Sequence, residues 1–431
     1  MRIVFYSTNS NIFDEENFKI KVMPSNASAF ETFCKLHLHD DFFCVTQKPG
    51  IFLPESGQSS LKKIIEYLPH ESSAASFADF ISSLNPDLAI AMTFWIEPYD
   101  WLPVSDALVA EYLNEKGIKT ICHSSETAIN CFDKWRTHNQ LIQLGFKISS
   151  AVFEDHDLYF CAGSKLEVIR NVYKESVLAQ IKKLRLPLII KDTTGLSSYG
   201  MTVVHTYGEA AGYLNSKRNN SNRLIEEFIT GRQFGLEIYG VPGKYQILPP
   251  FEFSVNQYGI TSPKQSTKYG PKELPDDLQK MMIQLADGLS LSGMAQVDLI
   301  LDDYGQWHII EINPRLSGMS YTYAAACGLS VFEMIYKTCV EKKSLPQPAP
   351  FVMSLKLPLM NDVKMAEILQ FDGVKLLNQT NDLAAKQERE KGFCECIIVA
   401  QEKSILQKTI ADLEKQFPED AIILQAKKML E

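Results

Sequence analysis

Short continuous apolar runs open the chain and return at intervals, separated by polar and glycine-bearing segments. Residues 2–6 (RIVFY) and 87–93 (DLAIAMT) have the length and unbroken apolarity of strands buried on both faces. Helical spacing then runs from Asp106 to Glu115 and stops before Gly117, and Ile118 to Cys122 has the pattern of a further strand. Strand and helix in alternation predict an α/β domain over residues 1–122. Within it, residues 7–83 follow no clean period. The first strand is not followed by GxGxxG, so no backbone approach to a dinucleotide pyrophosphate is expected at that turn.

From His123 the pattern becomes strand, glycine loop, strand and helix, followed by strands that carry acids. Pro346, Pro348 and Pro350 break the chain after this block, which sets a second domain at residues 123–345 and a C-terminal α+β piece at 346–431. In that piece Phe393 to Val399 is predicted as a strand. Ser404 to Gln416 is predicted as an amphipathic helix with Ile405, Leu406, Ile410 and Leu413 inward. The fold class expected is therefore multidomain, mixing α/β and α+β.

At 431 residues and 45% hydrophobic, the chain can bury the cores of two or three domains. A formal charge of -9 excludes a broad basic surface, so neither nucleic acid nor an anionic membrane is expected as partner, and any phosphate must sit in a local pocket. Nine scattered cysteines without a CxxC pair point to reduced, mostly buried thiols. Met1 and Arg2 lead straight into Ile3 without a leader pattern, and no apolar run reaches membrane-spanning length. A cytosolic protein is the expectation.

Three segments carry candidate chemistry. LPLIIKDTTGLSSYGMTVV, from Leu186 to Val204, predicts a hairpin whose tip can fold over phosphates. Gly195 and Gly200 allow unusual backbone angles, Ser197 and Ser198 donate hydrogen bonds, and Lys191 adds positive charge. An ordinary flexible loop has the same composition. In RLIEEFITGRQFGLEI, Glu226, Glu227 and Phe228 precede a turn at Gly231, an arrangement able to present backbone groups and a carboxylate to an adenine edge; a solvated acidic pair is the alternative.

The third segment, GMAQVDLILDDYGQWHIIEINPRLSG, is the most informative. A turn at Asp303 to Gly305 predicts a hairpin with Asp298 on one strand and Glu311 and Asn313 on one face of the next. Glu311 sits between Ile310 and Ile312, where an unpaired buried charge is costly. Three converging oxygen ligands suit magnesium, and Arg315 follows at once as a group for a phosphoryl oxygen.

In this order the segments resemble the ATP-grasp superfamily over about residues 123–338. The resemblance implies a Rossmann-like domain before the ATP-grasp domain and a mobile lid at roughly 155–228. FDKWRTHNQLIQLGF, from Phe132 to Phe146, is similar to the family's helix with a phosphate-contacting lysine, here Lys134. Lys191 then falls on the α and β phosphates, and Glu226, Glu227 and Phe228 on the adenine hinge. Asp298 and Glu311, thirteen residues apart, with Asn313 two further on, match the metal-ligand pattern of D-alanine:D-alanine ligase, with magnesium and, as an alternative, manganese. The Asn313-Pro314-Arg315 triplet looks like that of biotin carboxylase and carbamoyl phosphate synthetase. Lys268 and Tyr269 look like the loop that positions phosphate or acceptor. Two departures stand out: Gln233 occupies the place of a ribose-binding glutamate, and Gln296 that of a catalytic arginine, whose role falls to Arg315.

What the resemblance implies is an ATP-dependent carboxylate-amine ligase acting through an acylphosphate on amino acids or short peptides, with ATP and magnesium bound. Its partners are then a small carboxylate and an amine. A bicarbonate-activating carboxylase or carbamoyl phosphate synthetase relative, and a nucleotide-binding module without turnover, are the alternatives. Many relatives pair through the domain before the ATP-grasp unit, which leaves a homodimer open.

Overall fold

The computed structural model describes residues 1–8, 18–47, 64–67, 73–93, 102–161, 170–194, 201–256, 266–382 and 392–431. Five parallel strands form the first sheet, in the order Ile64–Tyr67, Asp41–Gln47, Arg2–Ser7, Leu88–Ala91, Lys119–Ile121. The unbroken apolarity of residues 3–6 has a direct cause, because both faces of the central strand are covered and all four side chains are fully buried. On one face Phe5 meets Phe30 and Phe33 of the helix Asn26–Leu36, and also Phe332, which belongs to the central domain; on the other, Tyr6 meets Phe77. The order reverses between Arg2–Ser7 and Leu88–Ala91. There the hydroxyls of Thr8 and Thr93 donate to Oδ1 of buried Asp106 at 2.6 and 2.7 Å.

A four-stranded antiparallel sheet follows, ordered Ala151–Glu154, Arg223–Glu227, Leu188–Asp192, Thr202–Val204. Helices Val172–Ile181 and Tyr207–Leu214 cover one face through Val177, Ile181 and Leu214 on Leu188, Ile190 and Ile225. Leu188–Asp192 and Thr202–Val204 pair as the sequence predicts. Gly195, Ser197, Ser198 and Gly200, between them, lie outside the described residues.

The third sheet has ten strands. Nine run in the order Trp307–Asn313, Gly293–Asp302, Gly231–Val241, Phe251–Phe253, Thr267–Gly270, Phe351–Leu357, Gly392–Ala400, Val374–Asp382, Phe18–Met23, and Lys244–Ile247 pairs beside Gly231–Val241. The strands after Pro350 thus continue the central domain's sheet by backbone hydrogen bonds, and Phe18–Met23 crosses over from the N-terminal end to close the far edge. Helix Asp276–Gly288 buries Leu278, Met282 and Leu285 against Leu236, Val297 and Leu299. Helices Lys403–Gln416 and Ala421–Leu430 cover Met353, Leu355, Cys394, Cys396 and Ile398 on the same sheet further along. Of the inward residues expected on Lys403–Gln416, Leu406, Ile410 and Leu413 are buried, while Ile405 is partly buried at the margin. All nine cysteines are free thiols, and six of them are buried. Among the described residues no helix is long and apolar enough to cross a membrane.

Candidate active site

A cleft with about 1270 Å³ of empty space separates the four-stranded sheet from the edge of the ten-stranded one. Lys191 and Glu226 line it from the four-stranded sheet, Gln233, Phe253, Asp298 and Glu311 from the ten-stranded one, and Lys134 and His138 stand between, beside Glu311 and Glu226. Helix Lys134–Gln143 enters the cleft because Asp133, held in extended geometry, separates it from Ser125–Phe132 and caps it by accepting from the Arg136 amide at 2.9 Å. The Lys134 amide donates to the Thr193 carbonyl at 2.7 Å, which fixes the start of that helix beside the end of the Lys191 strand.

The acidic hairpin forms as the sequence predicts. Asp302 accepts from the amides of Tyr304 and Gln306 at 3.0 and 2.8 Å and bonds His308 Nε2 at 2.8 Å, which closes the turn. Register then sets Asp298 directly opposite Glu311, and Gln296 opposite Asn313. On the next strand inward the row of Asp298 continues to Gly235, where a Cβ would meet a Phe253 ring carbon at 2.3 Å and Met319 Sδ at 2.9 Å. Only glycine lets both side chains pack behind the two acids.

Electrostatics distinguish the members of this row. Burial pushes the Asp298 carboxyl up to about 7, and the neighbouring Glu311 adds to the shift; Gln296 opposes it by donating from Nε2 to Oδ1 at 2.6 Å. Glu311 is met by Lys134 Nζ at 3.3 Å. Asn313 Oδ1 accepts from Arg315 Nη2 at 3.0 Å, so the arginine is already ordered next to the row. Two carboxylates abreast with an amide oxygen one row away form an all-oxygen donor set. Among the described residues no group of three His, Cys, Asp or Glu side chains is placed for a metal ion. Two carboxylates and an amide oxygen, all hard donors, fit a hard cation such as magnesium.

Across the cleft, Lys191 Nζ donates to Glu226 Oε2 at 2.6 Å, and His138 Nδ1 stands 3.5 Å from Oε1. Burial alone would raise the Glu226 carboxyl, but Lys191 and then His138 hold it down to about 2. Glu227, on the opposite face of the strand, accepts from the Arg185 amide at 2.9 Å; the amide of Phe228 donates to the Pro187 carbonyl at 3.0 Å. Lys268 stands apart from the two cleft lysines. Its Nζ donates to the Gly318 carbonyl and to Glu395 Oε1, both at 3.0 Å, yet its charge also lowers the carboxyls of Asp298 and Glu237.

Several site groups escape a purely sequential reading. His138 stands one helical turn after Lys134 and carries no motif. Glu237 is fully buried and accepts from Tyr239 at 2.8 Å, Ser317 at 3.0 Å and Ser320 at 2.8 Å, which pins the loop after Arg315. Its signal in the sequence is a carboxylate between Leu236 and Ile238, the same signal that marks Glu311. Beside Arg315 a smaller crevice, with about 330 Å³ of empty space, opens between Thr93, Asp106 and His123 of the N-terminal sheet region and Leu316 of the central domain.

Residues 165–338 match the family described as the D-ala D-ala ligase C-terminus. The D-alanine--D-alanine ligase of Buchnera aphidicola (subsp. Schizaphis graminum) is 27% identical over 244 residues, or 53% of this chain and 74% of the relative. The carbamoyl phosphate synthase large chain of Clostridium botulinum (Loch Maree) is 22% identical over 293 residues, or 61% of this chain; the chain spans only 27% of that relative's length. Among solved structures, an L-amino acid ligase from Bacillus licheniformis superposes with a TM-score of 0.64 at 15% identity, covering 96% of this chain and 97% of its own, a likeness of fold alone. Sequence likeness through the acidic hairpin and fold likeness along almost the whole chain converge, and both support an ATP-grasp ligase.

Proposed function

We propose that the chain joins a carboxylate to an amine at the expense of ATP, with amino acids or short peptides as substrates. The observation that carries this reading is the row of Asp298 and Glu311, with Asn313 beside it, met by Lys134 at Glu311 and facing Lys191 across the cleft. Asp298, Glu311 and Asn313 would hold magnesium, which when bound offsets phosphate charge and orients the phosphates. Lys134 and Lys191 contact the phosphates, Glu226 and the backbone near Phe228 meet the adenine, and Gln233 faces the ribose. Gly195, Ser197, Ser198 and Gly200 keep the phosphate-contacting role that the resemblance implies.

In the reaction so assigned, a carboxylate oxygen attacks the γ-phosphorus and the bond to the β-bridging oxygen breaks, which releases ADP. The amine nitrogen then attacks the acyl carbon of the acylphosphate, phosphate leaves, and the amine gives up a proton. Arg315 is placed to offset charge that develops on the acyl oxygen, in place of the arginine absent at Gln296. The organic substrate is assigned to the end beside Arg315, at the point where the strand order of the first sheet reverses.

The experiment is phosphate release from magnesium ATP against amino acids, dipeptides and bicarbonate, offered singly and in pairs, with mass spectrometry of the products. Release that requires a pair, with a condensed amide as product, is the expected result. Release with bicarbonate alone or with bicarbonate and an amine would move the chain to the carbamoyl phosphate branch. ATP binding without release on any combination would sink the ligase reading.

A further inference from the structure

The loop from Asn313 to Ser320, which carries Arg315, is held from two directions. From the central domain, Glu237 accepts from Ser317 and Ser320. From the C-terminal strands the hold is indirect: the Gly318 carbonyl accepts from Lys268 Nζ at 3.0 Å, and the same Nζ donates to Glu395 Oε1 at 3.0 Å. That oxygen also accepts from Ser354 Oγ at 2.5 Å. Lys268 is 8% exposed and Glu395 2%, so this is a buried ion pair between segments 127 residues apart.

A buried ion pair is weak stabilisation, since desolvation offsets most of the attraction and an apolar pair of equal volume holds a fold at least as well. Its placement explains it better. Cys394 and Cys396, on either side of Glu395, face the helix-covered core, which leaves Glu395 on the opposite face of the sheet, the face that leads to Asp298. Besides Glu395, Lys268 acts on the carboxyls of Glu237 and Asp298. Among the described residues Glu395 is the acidic neighbour that accepts a hydrogen bond from the ammonium, and so fixes where the charge sits.

We propose that Glu395 is a positioning residue of the ligase centre: through Lys268 and the Gly318 carbonyl it fixes the loop that carries Arg315, so the C-terminal strands complete the site. The proposal rests on the ligase reading above for its catalytic half, while the Glu395 to Lys268 linkage stands on geometry.

The test compares Glu395→Gln, Lys268→Gln and the double variant in the full chain, by two readouts. The first is the rate at which acetic anhydride acetylates Lys268, followed by mass spectrometry, which needs no substrate. Glu395→Gln is expected to raise it about fivefold, and an unchanged rate overturns the linkage. The second is steady-state phosphate release with the substrate pair found above. Each single variant is expected to lower kcat by about 30-fold at unchanged KM for ATP, the double variant no further, since the two act as one unit. Wild-type kcat in Glu395→Gln, or multiplicative losses in the double variant, overturns the positioning role. If Glu395→Gln does not fold, Ser354→Ala, which removes only the hydroxyl on Oε1, is expected to lower kcat about threefold at unchanged KM, and no change there is equally fatal. An inactive wild-type chain would sink the ligase reading and the catalytic half with it, whereas faster Lys268 acetylation in Glu395→Gln would still uphold the linkage.

Discussion

Lys191 and Glu226 are bonded to each other at 2.6 Å across two paired strands. The resemblance assigns them to opposite ends of a nucleotide, the lysine to phosphates and the glutamate to adenine. Here each is the other's closest charged partner, so a bound nucleotide has to compete with this ion pair for both.

Lys191→Ala is therefore expected to act twice. Loss of the phosphate contact should weaken ATP binding by about tenfold or more, measured by calorimetry. Loss of the ion pair leaves Glu226 buried with, among the described residues, His138 as its remaining charged partner, which should lower unfolding stability by about 3 kcal/mol in urea. Weaker binding at undiminished stability would mean that Glu226 finds another partner.

Glu311→Ala should separate fold from turnover. The side chain is partly exposed, and its partner Lys134 stands at the cleft surface, so the thermal midpoint is expected to stay within about 3 °C of the parent. Phosphate release should fall by at least about 100-fold if, as proposed, the row that Glu311 shares with Asp298 holds magnesium. Unchanged release in this variant would remove Glu311 from the metal assignment.

Glu237 predicts a pH dependence of stability. Its burial pushes the carboxyl up to about 7, only partly offset by Tyr239, Ser320 and Ser317. A folded pKa above the unfolded value means that the native state holds more protons than the unfolded chain between about pH 4.5 and 7. Stability should accordingly fall as pH rises through this window, by up to about 3 kcal/mol from this group, and level off above it. Asp298 shifts with the same sign. Glu237→Gln keeps the acceptor for Ser317 and Ser320, so unfolding followed from pH 5 to 8 should show a shallower slope. An unchanged slope would place the dependence elsewhere.

How much of this was legible along the chain depends on where each partner lies. The acidic hairpin could be read because Asp298, Glu311 and the turn between them sit within one short segment, where alternation of side chains fixes the shared face. The strand Phe18–Met23 could not, since it pairs with Val374–Asp382 at the far edge of the sheet, and residues this distant leave no local period. Glu237 and Glu395 carry the same mark as Glu311, an acid between apolar neighbours on a strand. Their partners, however, are brought together only by the folded sheet and the loop after Arg315. The lone mark does not even fix burial, since Glu237 and Glu395 are buried while Glu311 is partly exposed, and it does not tell what the charge is for.

Gln296 is the departure whose consequence is most direct. Its Nε2 donates to Asp298 Oδ1 at 2.6 Å, so a position where D-alanine ligases carry a cation here holds a neutral donor against the acid proposed to hold magnesium. That bond orients the carboxylate and favours its ionised form, against burial and the charge of Glu311. Gln296→Leu removes the donor and keeps much of the volume, so the carboxyl should gain a proton more readily and meet a cation less well. Outer partners of metal-facing groups are typically worth about 10- to 100-fold in metal affinity. The magnesium concentration that half-saturates ATP binding at pH 7, followed by calorimetry, should rise by at least about tenfold in this variant. The rise should shrink at pH 8.5, where the carboxyl ionises without help. A magnesium requirement equal to the parent's at both pH values would show that Gln296 holds Asp298 for packing and not for the cation.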